Sequence, residues 1–179
     1  MGEGAEDMAT YSFKIVLDRQ PSDSELDRLF EAGCADAAFG AERGLAVAEF
    51  DREHDSLAEA IASAIKEIES VGPLPVQVID EDILTLADIA DRIGQSRESV
   101  RRYAADTRGP GGFPPPANPG REGTVFYRWS EVAPWLRTNL DLDVEVSDPT
   151  LTMANLVLQA RRVRDRVPGA SALHDLLAA

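Results

Sequence analysis

The chain reads as a mixed α+β protein in three successive parts. A small antiparallel sheet with two helices comes first, a pair of short helices meeting at a tight corner second, and a helical tail last. Three observations lead there. Alternating stretches such as Tyr11–Leu17 (YSFKIVL) interleave with stretches of helical period such as residues 56–71. Glycines and prolines punctuate these stretches at the intervals that short connections need. Charge is split along the chain. Residues 1–80 carry 6 basic and 18 acidic side chains, a balance of −12; residues 92–137 carry 8 arginines against Glu98, Asp106, Glu122 and Glu131, a balance of +4. An acidic block beside a locally basic one predicts modules with different partners.

The composition bounds the class. The 179 residues are 44% hydrophobic and 28% charged, which fits an ordinary globular protein. No apolar run approaches the roughly 18–20 residues of a membrane helix. The first ten residues, MGEGAEDMAT, lack the basic start and apolar core of a signal peptide and are expected to be disordered. The single cysteine, Cys34, excludes an internal disulfide, and a cytoplasmic location follows as the expectation. Lys14 and Lys66 are the only lysines, an arginine bias that suggests GC-rich bacterial coding. A net charge of −14 argues against a general nucleic-acid binder, so any DNA contact must be specific.

The elements of residues 11–80 follow from pattern. Tyr11, Phe13, Ile15 and Leu17 share one face of a first strand. Ser22 and Glu25 have capping-box spacing, and Leu26, Leu29 and Phe30 make the apolar stripe of a helix ending at Gly33. Cys34–Ala41 is predicted as a second strand, Glu42-Arg43-Gly44 as a turn, and Leu45–Phe50 as a third strand closing a hairpin. Ser56 and Glu59 open a second helix to about Val71, with Leu57, Ile61, Ile65 and Ile68 on one face. Gly72-Pro73 ends it, and Val76, Val78 and Ile79 form a last strand. By element order, β-α-β-β-α-β, this segment resembles the ferredoxin-like split βαβ sandwich, whose analogy implies an interaction or dimerisation domain. It holds no candidate chemistry. Cys34 reads as a small buried hydrophobe. His54 has no companion at metal-ligand spacing, and Asp80-Glu81-Asp82 reads as a solvated linker. No cofactor, metal or catalytic set is expected.

Leu86–Tyr103, LADIADRIGQSRESVRRY, carries the functional signal. Ile89, Ala90, Ile93, Gly94, Val100 and Tyr103 fall where two short helices crossing at a sharp angle must touch. Thr85 caps the first helix, Gly94 supplies the positive φ of the turn, and Ser96 caps the second. Arg97, Glu98 and Ser99 then occupy its first turn, and Arg97 and Arg101 lie on one outer stripe. Arg102, four residues after Glu98, reads equally as its ion-pair partner.

Three pieces together place residues 83–140. LTLADIADRIGQSRESVRRYA, then GGFPPPANPGREGTVFYRW, then SEVAPWL resemble the winged helix-turn-helix of excisionase-like and MerR-type bacterial regulators. Gln95 stands where that motif usually has an apolar residue. The resemblance implies that the second helix, 96–105, enters a major groove. Ser96 or Ser99 would hold phosphate there, and Arg97 or Arg101 would pair with guanine O6 and N7. Residues 113–129 would form the wing. Pro114–Pro116 suit an extended edge entering a hairpin, Asn118–Gly123 its tip, and Thr124–Trp129 its returning strand. Arg121 at the tip and Arg128 in the strand would reach phosphates or a minor groove. Phe126 or Tyr127, Trp129 and Trp135 are read as core. Ser130 and Glu131 start a closing helix.

Residues 141–149 read as an acidic connector. The tail, 150–179, is predicted helical from Leu151, broken at Pro168-Gly169 and resumed over 171–177. Its cluster Arg161, Arg162, Arg164 and Arg166 complements a helix C-terminus, or touches DNA or the acidic first domain. The fold expectation is therefore a ferredoxin-like sandwich, a winged helix-turn-helix and a helical tail. The functional expectation is a homodimeric, sequence-specific, double-stranded DNA-binding transcriptional regulator and not an enzyme. One alternative is an antitoxin-like or partner-controlled DNA-binding protein whose acidic domain or tail binds another protein. A second is a pure interaction module.

Overall fold

A computed structural model describes residues 8–120 and 122–177. The protein is mixed α+β with an antiparallel sheet. Its contacts divide it into two compact units. One takes the chain up to Ile79 and again from Thr150 onward; the other is Asp80–Pro149. No helix among the described residues is long and apolar enough to cross a membrane.

The first unit contains β1 (Ala9–Leu17), α1 (Asp23–Glu31), β2 (Ala37–Glu42), β3 (Leu45–His54), α2 (Leu57–Val71) and β4 (Pro75–Val78). The strand order is β2-β3-β1-β4, and every neighbouring pair is antiparallel. Local chemistry sets the ends. Ser22 N donates to Glu25 Oε2 at 2.9 Å at the start of α1, and Glu59 N donates to Ser56 Oγ at 3.2 Å at the start of α2. Arg43 (φ 50°) and Gly44 (φ 82°) make the two-residue turn between β2 and β3, whose twist suits a tight hairpin. Phe13, Ile15 and Leu17 of β1, Ala48 and Phe50 of β3, Leu29 of α1 and Ile61, Ile65 and Ile68 of α2 form one core. Phe13 stacks on Phe50 with centroids 5.2 Å apart.

Three elements differ from the pattern reading. The second strand begins at Ala37, because Cys34–Asp36 is a 3-10 turn entered through Gly33 at φ 116°. The third strand runs on to His54, since Arg52 points into the protein and is held there by carboxylates. The stripe on α1 is only partly covered: Leu29 is fully buried, but Leu26 and Phe30 are 36% and 67% exposed. A nine-residue helix meets its neighbours along a narrow line.

The tail belongs to this unit. α6 (Pro149–Arg164) sets Leu158 into the first core, with Leu151 and Ala154 beside it. Asn155 is buried; its Oδ1 accepts from Val78 N at 2.8 Å and its Nδ2 donates to Val78 O at 2.9 Å. The amide thereby satisfies the outer edge of β4, as a further strand would. Arg161 Nη2 donates to both carboxylate oxygens of Glu69 at 2.7 and 2.8 Å, so one tail arginine contacts the acidic segment. A short α7 (Ala170–His174) follows Gly169 at φ 72°.

The second unit contains β5 (Ile83–Leu84), α3 (Leu86–Arg92), α4 (Arg97–Ala104), β6 (Tyr127–Arg128) and α5 (Trp129–Leu140). Its core joins Leu84, Ile89, Ala90, Val100, Tyr103, Tyr127, Trp129, Val132, Trp135 and Leu136. The connector has no regular structure over residues 141–148, and Pro149 already begins α6; Leu142 and Val144 pack on this core and Trp129 Nε1 donates to Glu145 O at 2.9 Å.

Candidate nucleic-acid interface

Backbone rules build the corner between α3 and α4. Asp88 N donates to Thr85 Oγ1 at 3.2 Å and Thr85 N to Asp88 Oδ2 at 2.8 Å, so the first turn of α3 is capped from both sides. At its end Gly94 N donates to Asp91 O at 3.3 Å and Gln95 N to Ala90 O at 2.9 Å, with Gly94 at φ 64°. That is a left-handed glycine stop satisfying two terminal carbonyls. Gln95 contributes its backbone to this stop, which does not depend on the polarity of its side chain. Ser99 N then donates to Ser96 Oγ at 3.2 Å and α4 begins. Ile89, Ala90, Val100 and Tyr103 are buried between the helices, as their spacing predicted.

Arg97, Glu98, Arg101 and Arg102 are all exposed on α4. They are not equivalent. Arg101 is clamped: its Nε and Nη2 donate to the two oxygens of Glu98 at 2.7 and 2.8 Å. Arg102 Nε donates to the same carboxylate at 3.1 Å. These bonds, from Arg101 first and Arg102 second, hold the Glu98 carboxyl down at about 2. Glu98 is therefore ionised at neutral pH and neutralises part of the arginine face. Arg97 has no ion pair among the described residues, so its guanidinium is the one left available at the start of α4.

Arg108, which pattern reading missed, adds a cation to this surface. Its guanidinium lies 5.2 Å from the Tyr103 ring centroid and its Nη1 donates to Ser99 Oγ at 3.1 Å. Ser96 and Ser99 are thus partly engaged, one as a cap and the other as an acceptor. Replacing Glu98 tests the balance of the surface. Glu98→Gln removes one negative charge and frees Arg101 and Arg102, so affinity for any duplex should rise and the slope of log K against log salt should steepen by about 1. Filter binding across a salt series measures both; an unchanged slope would place these arginines away from phosphates.

The expected wing takes another form. Among the described residues of 113–126 there is no strand, and β6 pairs instead with β5, Leu84 opposite Tyr127 and Ile83 opposite Arg128. Prolines 114–116 have no N–H to donate, so the segment cannot be laddered. It is a closed loop: Ala117 N donates to Phe126 O at 2.8 Å, Asn118 Nδ2 to Thr124 O at 2.9 Å, and Phe126 N to Asn118 Oδ1 at 2.9 Å. The returning strand shortens to Tyr127–Arg128, with Trp129 already the first residue of α5. Arg121 lies outside the described residues. Arg128 is half-buried, with Nη1 donating to Asp82 Oδ2 at 3.4 Å.

Asp82 is no solvated linker residue. It is 2% exposed and caps α5 from a distance in sequence, its Oδ1 accepting from Ser130 N and its backbone O from Trp129 N, both at 2.6 Å. Tyr127, Trp129 and Trp135 are core, as predicted, and Phe113 joins them in pinning the loop to the helices. Phe113 stands edge-on to Trp135 at 5.0 Å and to Tyr127 at 5.6 Å, and Trp135 lies 5.8 Å from Tyr103. Gly109, at φ 85°, passes close enough that a Cβ there would sit 3.1 Å from the Tyr103 ring.

Cys34 and the surroundings of His54 are the remaining places where chemistry could reside. Cys34 is buried, and burial, aided by the Glu67 charge, pushes its thiol up to about 12, which favours the protonated thiol at neutral pH. His54 does have companions, contrary to its sequence spacing: its ring nitrogen and carboxylate oxygens of Asp55 and Glu59 lie within 4.8 Å of one another. Two of the three side chains already serve the start of α2, with His54 Nδ1 accepting from Asp55 N and Glu59 Oε2 from Ser56 Oγ. Comparison with known protein families, curated proteins and solved structures finds no match.

Proposed function

We propose that the second unit reads double-stranded DNA with the first half of α4, and that the protein acts as a sequence-specific transcriptional regulator. The observation that carries this is Arg97: a guanidinium with no ion pair among the described residues, in the first turn of a capped helix, opposite a face anchored by Val100 and Tyr103. A bidentate contact to guanine O6 and N7 is the pairing its geometry favours. Arg101 joins when phosphate or base competes with Glu98, and Arg108 with Ser99 supplies backbone contacts. The loop 113–126 takes the place of a strand-built wing. The order of elements in this unit, and the strand order β2-β3-β1-β4 in the other, support the excisionase-like or MerR-type and ferredoxin-like resemblances respectively. One unit of this size offers limited contact area, so two copies on two half-sites are proposed.

Selection of bound genomic fragments at two salt concentrations tests the reading. On the selected site Arg97→Ala should cost about 1–3 kcal/mol and relax base preference at one position. If it binds selected and random fragments as the parent does, α4 is not the reader. The partner-controlled reading is favoured by a separate observation, the exposed Leu26 and Phe30 on α1, one turn apart in the acidic unit. It predicts a co-purifying protein whose release follows Phe30→Ser.

A further inference from the structure

The sheet of the first unit has two edges, β2 and β4, and they differ in protection. The β4 edge is blunted three times over. Pro75 has no N–H to offer, the register slips between Val16 and Leu17, and Asn155 occupies both main-chain groups of Val78. The β2 edge has none of these devices. Its sequence, AAFGAE, holds no proline and no lysine, and it pairs with β3 from Ala37 to Glu42 without a slip. In a hairpin with a two-residue turn, Glu42, Gly40 and Ala38 exchange their main-chain bonds with β3. The N–H and C=O of Phe39 and Ala41 therefore point out of the sheet, and among the described residues nothing bonds them. Gln20 Nε2 donates to Gly40 O, which belongs to the inner ladder, so it leaves the outward groups open. Gly40 is the only described glycine without a positive φ, and a Cβ on it would meet nothing within 4 Å. Its own copy gives no reason for a glycine there. A glycine weakens a strand interior and often marks the close approach of another backbone.

We propose that two copies of the chain associate through this edge, β2 against β2, antiparallel about a two-fold axis at Gly40. Three features select a second copy in that register. With Gly40 opposite Gly40, Phe39 of each copy faces Ala41 of the other, and each such pair exchanges two bonds, so every outward group of these residues is satisfied. An axis at Phe39 would instead call on the N–H of Ala37, which already donates to Cys34 O. The residues opposed at the axis approach to about 4.5 Å between Cα atoms, and neither copy brings a side chain there. Lastly, joining β2 to β2 makes one continuous sheet whose only remaining edges are two β4 strands, both blunted. A foreign strand would leave its own far edge open, whereas the two-fold pair closes at two copies. A single short strand pair is smaller than the about 1,200–2,000 Å² of stable interfaces, so the dimer is reversible. The proposal deepens the two-copy reading above and rests on it for its purpose; association is measured without DNA, so the two can fail separately.

Sedimentation velocity of the full chain over a concentration series is the test. The parent should show a monomer–dimer equilibrium. Gly40→Glu and Gly40→Lys each place like charges directly opposite one another at the axis, and each alone should weaken association at least about tenfold. At dilutions where the parent is monomeric, both variants should keep its thermal transition, because a side chain at this position meets nothing in its own copy. Mixing the two variants sets a carboxylate opposite an ammonium, and association should return as a mixed dimer. A parent that stays monomeric at every concentration, or two variants that each dimerise like the parent, overturns the interface. Two monomeric variants that stay monomeric when mixed overturn the axis at Gly40. Arg97→Ala, the test of DNA reading, should leave association unchanged, so each reading has its own readout.

Discussion

Arg52→Met is expected to destabilise the first unit by about 3 kcal/mol, near the low end of the range for breaking a buried ion pair. Arg52 is 5% exposed, yet all three of its guanidinium nitrogens donate hydrogen bonds. Nε donates to Asp36 Oδ2 at 2.7 Å, Nη1 to Ser63 Oγ at 2.8 Å, and Nη2 to Asp36 Oδ1, Glu67 Oε2 and Gly33 O at 2.9, 2.7 and 3.1 Å. It also lies 5.0 Å from the Phe50 ring. Burial alone would lower its pKa, but the Asp36 and Glu67 carboxylates outweigh this and raise it. Methionine keeps most of the stem volume, so the loss is chiefly that of the charge. Asp36 and Glu67 are left facing each other without their counter-ion. Their side chains are 29 and 28% exposed, and the water they reach limits the cost.

The readout separates the units. Both tryptophans, Trp129 and Trp135, lie in the second. Far-UV circular dichroism should therefore show an early transition in Arg52→Met, while tryptophan fluorescence keeps the midpoint of the parent. A fluorescence midpoint that falls with it would mean that the two units unfold as one block. Arg52→Lys should recover only part of the loss, because an ammonium cannot reach Asp36, Ser63 and Glu67 together.

These residues also explain what pattern could and could not reveal. Ser22, Ser56, Thr85 and Ser96 were legible as helix starts because a cap is made within three residues. The inward face of β1 was legible because alternation is a local property. Arg52 was not, since an arginine at an inward position reads as the end of a strand until its partners are seen, and Asp36 and Glu67 are distant in sequence. Asp82 was misread for the same reason, its acceptors serving a helix 48 residues on. On α1 the periodicity correctly marked which face is apolar, but periodicity does not state how much of that face a neighbour covers. The surface of α4 was legible in composition and not in pairing: the Glu98–Arg102 spacing was seen, whereas Glu98 binds Arg101 more closely. Arg108 escaped because it follows the helix and reaches Ser99 only through the irregular chain after Ala105.

Trp135→Ala should have the largest effect on the second unit, about 3–5 kcal/mol, the usual cost of removing a buried tryptophan. At roughly 4–8 °C per kcal/mol for a unit of this size, its transition should fall by well over 10 °C. Trp135 is 9% exposed and stands where three parts of the unit meet. It comes from α5, touches Tyr103 of α4 and Phe113 of the loop, and donates from Nε1 to Gly111 O at 3.1 Å. Tyr103 is in turn the ring over which Arg108 lies, so the tryptophan supports the position of that cation as well as the pitch of α4. Trp135→Phe retains ring contacts and loses mainly the hydrogen bond, worth about 1 kcal/mol. Under the proposed function, the phenylalanine variant should bind the selected DNA nearly as the parent does. The alanine variant, measured well below its lowered transition, should still bind less tightly, because α4 and the loop lose the side chain that joins them. Equal affinity for a folded Trp135→Ala would show that α4 is held by α3 alone and that the aromatic cluster serves stability without setting the reading surface.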